Sequence, residues 1–370
     1  MHGNGSNQRF RKSRKIKLGD LAIGGGAPIS VQSMARSPTV AVDEVLAEIR
    51  EMAIAGADIV RVAVVREDCI NGLKKIVERS PVPIVADVHY PMDLAAKAVN
   101  AGVAGVRINP LMPGDFKSFN ALIGALKNSK AAVRVGVNAG GLPPGETVDI
   151  KRMLTPLWNT VERLADGGVE NIKVSAKSAH VTINEKLNRA LAKRGSWPIH
   201  LGFTEAGRGV SGIVRSTVAL APLLSEGIGD TIRVSLSGSP IEEIKVAVNL
   251  LQVLGLKKEG VHIIACPMCG RCHGEVAQTV QYVEEELRSC ERALTVAVMG
   301  CEINGPGEAS RADFGIAAGP EGWVLFSRGE VLEMCNREEG PVRLVEEALK
   351  ESAVVEHVNE SEGSKRSTKK

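Results

Sequence analysis

Aromatic residues are scarce in this chain: three tryptophans, two tyrosines and six phenylalanines in 370 residues. Base stacking on aromatic faces is therefore not its expected mode of binding. A formal net charge of +3 is likewise too small to make nucleic acid the expected partner, so any anion must be held by a local cluster of cations. No apolar run reaches bilayer-spanning length, and the opening residues "MHGNGSNQRFRKSRKIKLGD" lack the apolar stretch of a secretion signal. Neither a membrane partner nor export is expected, which places the chain in the cytoplasm. Seven cysteines, an odd number without such a signal, argue against a disulfide framework and toward metal or redox chemistry. With 44% hydrophobic and 24% charged residues, the chain can bury one large core or two unequal ones.

Eight short β-branched runs recur at intervals that suit a strand followed by a helix. They fall at 29–34, 58–64, 83–89, 105–110, 132–140, 171–178, 199–207 and 231–238. Helical patterns such as "VDEVLAEIREMAIAGA" and "PMDLAAKAVNAGV" lie between them, each ending near a glycine. Eight such units in about 250 residues predict an α/β fold of the (β/α)8 TIM-barrel type rather than an open sheet. After "IEEIKVAVNLLQVLGL" the composition changes and the cysteines arrive, followed by strand-like "DFGIAAG" and "GWVLFSRG" and a helix, "PVRLVEEALKESA". The expected division is a flexible basic tail over 1–18, a barrel over 19–257, a smaller α+β domain over 258–353 and a second flexible tail over 354–370.

Four of the runs carry an arginine between β-branched residues: Arg61, Arg107, Arg134 and Arg233. Lys173 occupies the matching place in a fifth. Parallel barrel strands are covered on both faces, so a cation there is costly unless it is paired or meets an anion. For any one of them a strand carboxylate partner is an even alternative. A ring of arginines in one phase is instead suited to bidentate grip on a small molecule with more than one phosphate. Asp87 and His89 are two residues apart and so share a strand face. Asn138 and Glu205 also stand at strand ends, where barrel active sites lie. "GRGVSG" at 207–212 imitates a dinucleotide-binding loop, but the next strand offers Ser237 where an acidic residue would be needed. It reads instead as a barrel loop whose backbone N–H groups face a phosphate.

Cys266, Cys269 and Cys272 in "ACPMCGRCHGE" have a spacing used by iron–sulfur clusters and by zinc knuckles alike. Cys301 in "MGCEINGPGE" is a candidate fourth ligand, and Glu308 lies across the same loop. Zinc and iron–sulfur both remain open on spacing alone.

"ACPMC" followed by "GCEINGPGE", behind "ADVHY", "RINP", "RVGVNAG", "SEGIGDTIRVSL" and "EEIKVA", closely resembles the 4-hydroxy-3-methylbut-2-enyl diphosphate synthase family of the non-mevalonate isoprenoid pathway. The resemblance runs colinearly over about residues 16 to 350. It implies reductive ring opening and dehydration of 2-C-methyl-D-erythritol 2,4-cyclodiphosphate on a [4Fe–4S] cluster, giving 4-hydroxy-3-methylbut-2-enyl diphosphate. It implies further that Cys266, Cys269, Cys301 and Glu308 hold the cluster, with Glu308 the labile ligand. Arg61, Arg107, Arg134, Asn138, Lys177, Arg233 and Ser235 would grip the cyclic diphosphate, and Asn304 would contact it from the cluster side. His89, Asp87 and Glu205 would deliver protons or hold hydroxyls. The strand pattern favours Lys173 and the family Lys177. A ferredoxin or flavodoxin is the implied electron donor. A homodimer with shared active sites is implied as well, because the chain has no insertion between barrel and small domain. Cys272 departs from the family pattern, so an all-cysteine cluster of Cys266, Cys269, Cys272 and Cys301 is compatible with the spacing. A zinc-stabilised barrel enzyme acting on a sugar phosphate and a non-catalytic iron–sulfur electron carrier are the alternative readings.

Overall fold

The computed structural model describes residues 11–88, 92–111, 115–138, 149–257, 259–290, 292–301 and 309–350. The chain divides into two compact units, residues 1–257 and 258–370. Among the described residues, no helix is long and apolar enough to cross a membrane.

The first unit opens with a hairpin, β1 (Ile16–Leu18) against β2 (Leu21–Ile23), turned at Gly19 in the left-handed region. Eight parallel strands follow: β3 (Ser30–Met34), β4 (Ile59–Val64), β5 (Ile84–Val88), β6 (Gly105–Ile108), β7 (Ala132–Asn138), β8 (Ile172–Lys177), β9 (His200–Gly202) and β10 (Thr231–Arg233). They pair in the order β8-β7-β6-β5-β4-β3-β10-β9, and a bridge between Val174 and Ile199 joins β8 to β9 and closes the ring. Each of the eight lies within one of the β-branched runs, so the TIM barrel expected from the sequence is the fold.

Helices α1 (Val42–Ile54), α2 (Cys69–Arg79), α3 (Asp93–Asn100), α4 (Phe116–Lys127), α5 (Ile150–Asp166), α6 (Val181–Arg194), α7 (Gly209–Ser225) and α8 (Pro240–Val253) alternate with these strands. Local chemistry starts several of them. Asp149 accepts from the backbone N–H of Lys151 and Arg152, and Ser239 accepts from that of Ile241 with Pro240 leading the first turn. Their apolar stripes pack on the outward strand residues, such as Val60, Val62 and Val64 of β4 or Val133, Val135 and Val137 of β7, in one continuous core.

Residues 11–18 correct the expectation of a flexible tail. Arg11 donates to the carbonyls of Gly195 and Trp197 at 2.7 Å each, and Arg14 lies 4.0 Å from the Trp197 ring centroid. Ile16, Leu18 and Ile23 are buried against Ile59, Val85 and Ala132, the first or second residues of their strands. The hairpin therefore plugs the barrel at the N-terminal ends of its strands. A Cβ on Gly105 would come within 2.6 Å of Leu18, so this glycine makes room for the plug. The basic composition hid this, because within the tail only two alternate apolar residues, Ile16 and Leu18, carry the burial.

The second unit is a five-stranded sheet in chain order: β11 (Val261–Ala265), β12 (Leu294–Met299), β13 (Phe314–Ala318), β14 (Trp323–Ser327) and β15 (Glu330–Cys335). The first three run parallel, with α9 (Val276–Glu286) connecting β11 to β12, and the last two are antiparallel. A further helix spans 339–350. Both faces are covered: Val296, Val298, Ile316 and Leu325 pack with Val283 and Leu344, and Ala297, Met299, Ala317 and Phe326 pack with Ala309 and Ala312. The sequence reading had not marked β11 or β15. The expected tail at 354–370 lies outside the described residues.

Candidate functional site

The strand register places the barrel's charges at common levels. Asp87 on β5 stands opposite Arg107 on β6, Arg107 opposite Arg134 on β7, and Arg134 opposite Lys173 on β8. Two repeats of the pleat nearer the mouth, beyond the Gly136–Ser175 pair, Asn138 stands opposite Lys177. On the other side of the ring Arg61 faces Met34, and Arg233 faces Gly202. Above the plug, the inward phase of the strands is thus almost wholly polar.

Two carboxylates touch these cations. Asp87 lies 3.5 Å from Arg61 and 3.6 Å from Arg107, and Glu243 on α8 lies 3.5 Å from Arg233. Met34 contributes its sulfur, 3.0 Å from Arg61 Nη2 and 3.7 Å from Arg233 Nη1. Lys177 Nζ sits 3.3 Å from His200 Nε2, and His200 Nδ1 sits 2.8 Å from Thr231 Oγ1. By contrast Arg134 Nε and Nη1, Lys173 Nζ and both amide atoms of Gln32 are buried with no hydrogen-bond partner. Arg134 is 2% exposed and Lys173 1%, so bulk solvent does not reach them. Orphaned buried donors of this kind mark a place where a ligand completes the bonding.

The electrostatics agree. Burial lowers Arg61 to about 10, against the pull of Asp87 and with help from Arg233 and Arg107. Burial and then Arg134 lower Lys173 to about 7. Burial pulls Arg134 and Lys177 well below their ordinary values, with neighbouring arginines adding to the fall. Six cations, namely Arg61, Arg107, Arg134, Lys173, Lys177 and Arg233, face each other across a low-dielectric interior. A multiply charged anion would relieve both their repulsion and their desolvation.

The remaining candidates are distributed as follows. Ser235 follows β10 and is half-buried. Glu205, just past β9, is exposed and held at φ 58°, a strained conformation for a residue with a side chain. His89, Asn304 and Glu308 lie outside the described residues. In the second unit Cys266 and Cys269 follow β11, and Cys301 follows β12 by two residues. Met268 at φ 58° turns the loop between the first two. Gly300 N–H donates to Cys266 Sγ at 3.0 Å, and a Cβ on Gly300 would fall 2.5 Å from Cys272 Sγ and 3.1 Å from Cys266 Sγ. The glycine therefore leaves a cradle for sulfur beside Cys301. Among the described residues no three metal-ligating side chains are already gathered. The soft thiol donors, the N–H aimed at sulfur and the cradle nonetheless fit a thiolate-bound iron–sulfur group.

Sequence reasoning missed Gln32, Met34, His200, Thr231 and Glu243. Thr231 shares its strand phase with Arg233, and that phase was the signal available; Gln32, Met34 and His200 stand on strands without a cation and meet the arginines and lysines only through the barrel register. Glu243 reaches in from a helix and carried none.

A closed barrel lined with cations, followed by a sheet domain with cysteines at two adjacent strand ends, fits one class: an enzyme with a barrel suited to a polyanionic small molecule and a second unit whose cysteines suit a thiolate-bound group. Models of the GcpE TIM-barrel domain and the GcpE protein C-terminal domain match residues 13–248 and 262–351. The chain is 39% identical over 352 residues to the 4-hydroxy-3-methylbut-2-en-1-yl diphosphate synthase (flavodoxin) of Clostridium perfringens, covering 92% of this chain and 98% of that protein. It is 42% identical over 354 residues to the synthase of the same name from Tropheryma whipplei strain Twist, covering 91% and 90%. The chain belongs to the GcpE family of 4-hydroxy-3-methylbut-2-en-1-yl diphosphate synthases. Among solved structures, dihydropteroate synthase from Stenotrophomonas maltophilia aligns with a TM-score of 0.51 at 14% identity, over 66% of this chain and 97% of that one. That likeness concerns the barrel fold alone.

Proposed function

We propose that this chain is an iron–sulfur oxidoreductase that opens the ring of 2-C-methyl-D-erythritol 2,4-cyclodiphosphate reductively, with loss of water, to give 4-hydroxy-3-methylbut-2-enyl diphosphate. The observation that carries the reading is that Arg134 and Lys173 are buried without hydrogen-bond partners within the ring of barrel cations of a chain from this family. Arg61, Arg107, Arg134, Lys177 and Arg233 bind the diphosphate, with Asn138 and Ser235 donating to its oxygens. Lys173, two levels deeper than Lys177, adds positive potential beneath them. Asp87 stands between Arg61 and Arg107, so it orients both guanidinium groups and accepts from substrate hydroxyls. Glu205, strained and exposed at a strand end, and His89 are the proton carriers in this reading, and Asn304 contacts the substrate. Cys266, Cys269, Cys301 and Glu308 would hold a [4Fe–4S] cluster, which supplies the electrons of the reduction when bound. Glu308, a weaker ligand to iron than a thiolate, would be the ligand most readily released.

The donor is a flavodoxin, as the relatives' names suggest, or a ferredoxin of similar potential. The enzyme works in the cytoplasm as a homodimer in which one subunit's cluster domain serves its partner's barrel. Anaerobically purified protein should contain iron and acid-labile sulfide in matching amounts and turn over the cyclic diphosphate with reduced flavodoxin. Arg107→Ala and Glu308→Ala should each abolish turnover, and mixed dimers of the two should recover part of it. Zinc without sulfide would sink the redox reading, and a failure of mixed dimers to recover would sink the shared site.

A further inference from the structure

We propose that His200 is a positioning residue that holds the Lys177 ammonium in place for the substrate's diphosphate; the inference rests on the reading of Lys177 given above. Lys177 closes β8 and His200 opens β9. Both are buried, and His200 is 0% exposed. The contact is part of a chain of three groups: Lys177 Nζ to His200 Nε2 at 3.3 Å, then His200 Nδ1 to Thr231 Oγ1 at 2.8 Å on β10.

The chemistry fixes the direction of this chain. A lysine ammonium has donors and no acceptor, so beside a bound anion it donates to Nε2, and the ring proton must reside on Nδ1, where Thr231 Oγ1 accepts it. A second ring proton would remove the acceptor. Burial first, then Arg134, Lys177, Lys173 and Arg61, hold His200 well below the ordinary histidine value and keep the ring neutral.

A neutral acceptor differs from the carboxylates used elsewhere in the ring. Asp87 orients Arg61 and Arg107, and Glu243 orients Arg233, but each also cancels charge. Among the described residues no carboxylate pairs with Lys177. Its imidazole partner fixes direction while leaving the whole positive charge for the ligand. Gly202 completes the arrangement. A Cβ there would fall 2.7 Å from Lys177 Cε and closer still to Nζ, so the lysine end occupies the volume that the glycine leaves empty. The sequence pattern "HLG" thus encodes an acceptor and a gap two residues apart on one strand face.

The test is a double-mutant cycle on the anaerobically purified holoenzyme, with the Kd of the cyclic diphosphate measured by titration calorimetry. His200→Leu should weaken binding roughly ten-fold, the worth of one hydrogen bond to a charged group. His200→Gln, whose amide oxygen reaches the place of Nε2, should restore most of it. In a Lys177→Ala background His200→Leu should cost nothing further. Gly202→Ala should give a similar loss with the imidazole intact, because it displaces the ammonium. Losses that add in the double variant, or a lower Tm with an unchanged Kd, would reduce His200 to a packing residue and overturn the inference. If Lys177→Ala alone leaves the Kd unchanged while Arg107→Ala weakens it, the assignment of Lys177 falls, not the substrate. A wild-type protein that binds inorganic pyrophosphate but not the cyclic diphosphate would overturn the substrate assignment itself.

Discussion

The two faces of the same barrel strands are built by opposite rules. The outward face of β7 is Val133, Val135 and Val137, all fully buried under helices, and its inward face is Ala132, Arg134, Gly136 and Asn138. The first face removes aliphatic surface from water and contributes stability in proportion to that area. The second buries a guanidinium with unpartnered nitrogens and gives stability back. Period-two alternation lets one segment serve both purposes, since neighbouring side chains point to opposite sides. The outer shell thus offsets an interior that is organised for an anion rather than for folding.

The sharpest way to break this contrast is Arg134→Met, which replaces a buried unpaired cation by an apolar chain of similar length. Turnover should fall at least a hundred-fold, roughly 3 kcal/mol of transition-state binding, while the Tm of the unliganded protein rises. A fall in both would mean that Arg134 is held by the fold, not kept for a ligand. Lys173→Met tests the same idea through pH. In the folded chain Lys173 is lowered from 10.5 to about 7. Below pH 7 it is charged folded and unfolded alike, so the full cost of burying that charge is present. Between 7 and 10.5 the unfolded chain binds the extra proton, so folded stability rises with pH and the cost fades. The Met variant should therefore be more stable than wild type by about 5 kcal/mol at pH 6, by denaturant titration, with the gap closing toward pH 10. Pyrophosphate should narrow the gap at any pH. Val135→Ala, on the opposite face, should cost about 2 kcal/mol of stability and leave kcat/KM as it was. A catalytic loss there would show that the two faces are not independent.

Much of this was legible in the sequence because both signals are periodic. Short β-branched runs separated by helical patterns marked all eight barrel strands, and the common phase of Arg61, Arg107, Arg134 and Arg233 marked their polar side. His200 was overlooked because a lone histidine in an apolar run is usually a satisfied structural group. Its partner Lys177 is 23 residues away, and only the closure of the ring between β8 and β9 brings them together. Glu243 was overlooked because it reaches the site from a helix, where no strand phase announces it. The plug was hidden for a third reason: two of its three buried residues, Ile16 and Leu18, lie in a stretch whose composition is that of a solvated tail. The cysteines were plain as a motif. That Gly300 leaves space for two sulfurs is a fact of packing and has no trace in spacing.

The plug also bears on the rhythm of turnover. With Leu18 and its neighbours filling the base, the described residues leave no passage through the floor, so what enters by the mouth leaves by it. Substrate and product both carry a diphosphate, and in the proposed reading both answer to the same arginines. Departure of one must precede arrival of the next, so accumulating product competes directly with substrate, and a cell that drains the product quickly sets the enzyme's working speed.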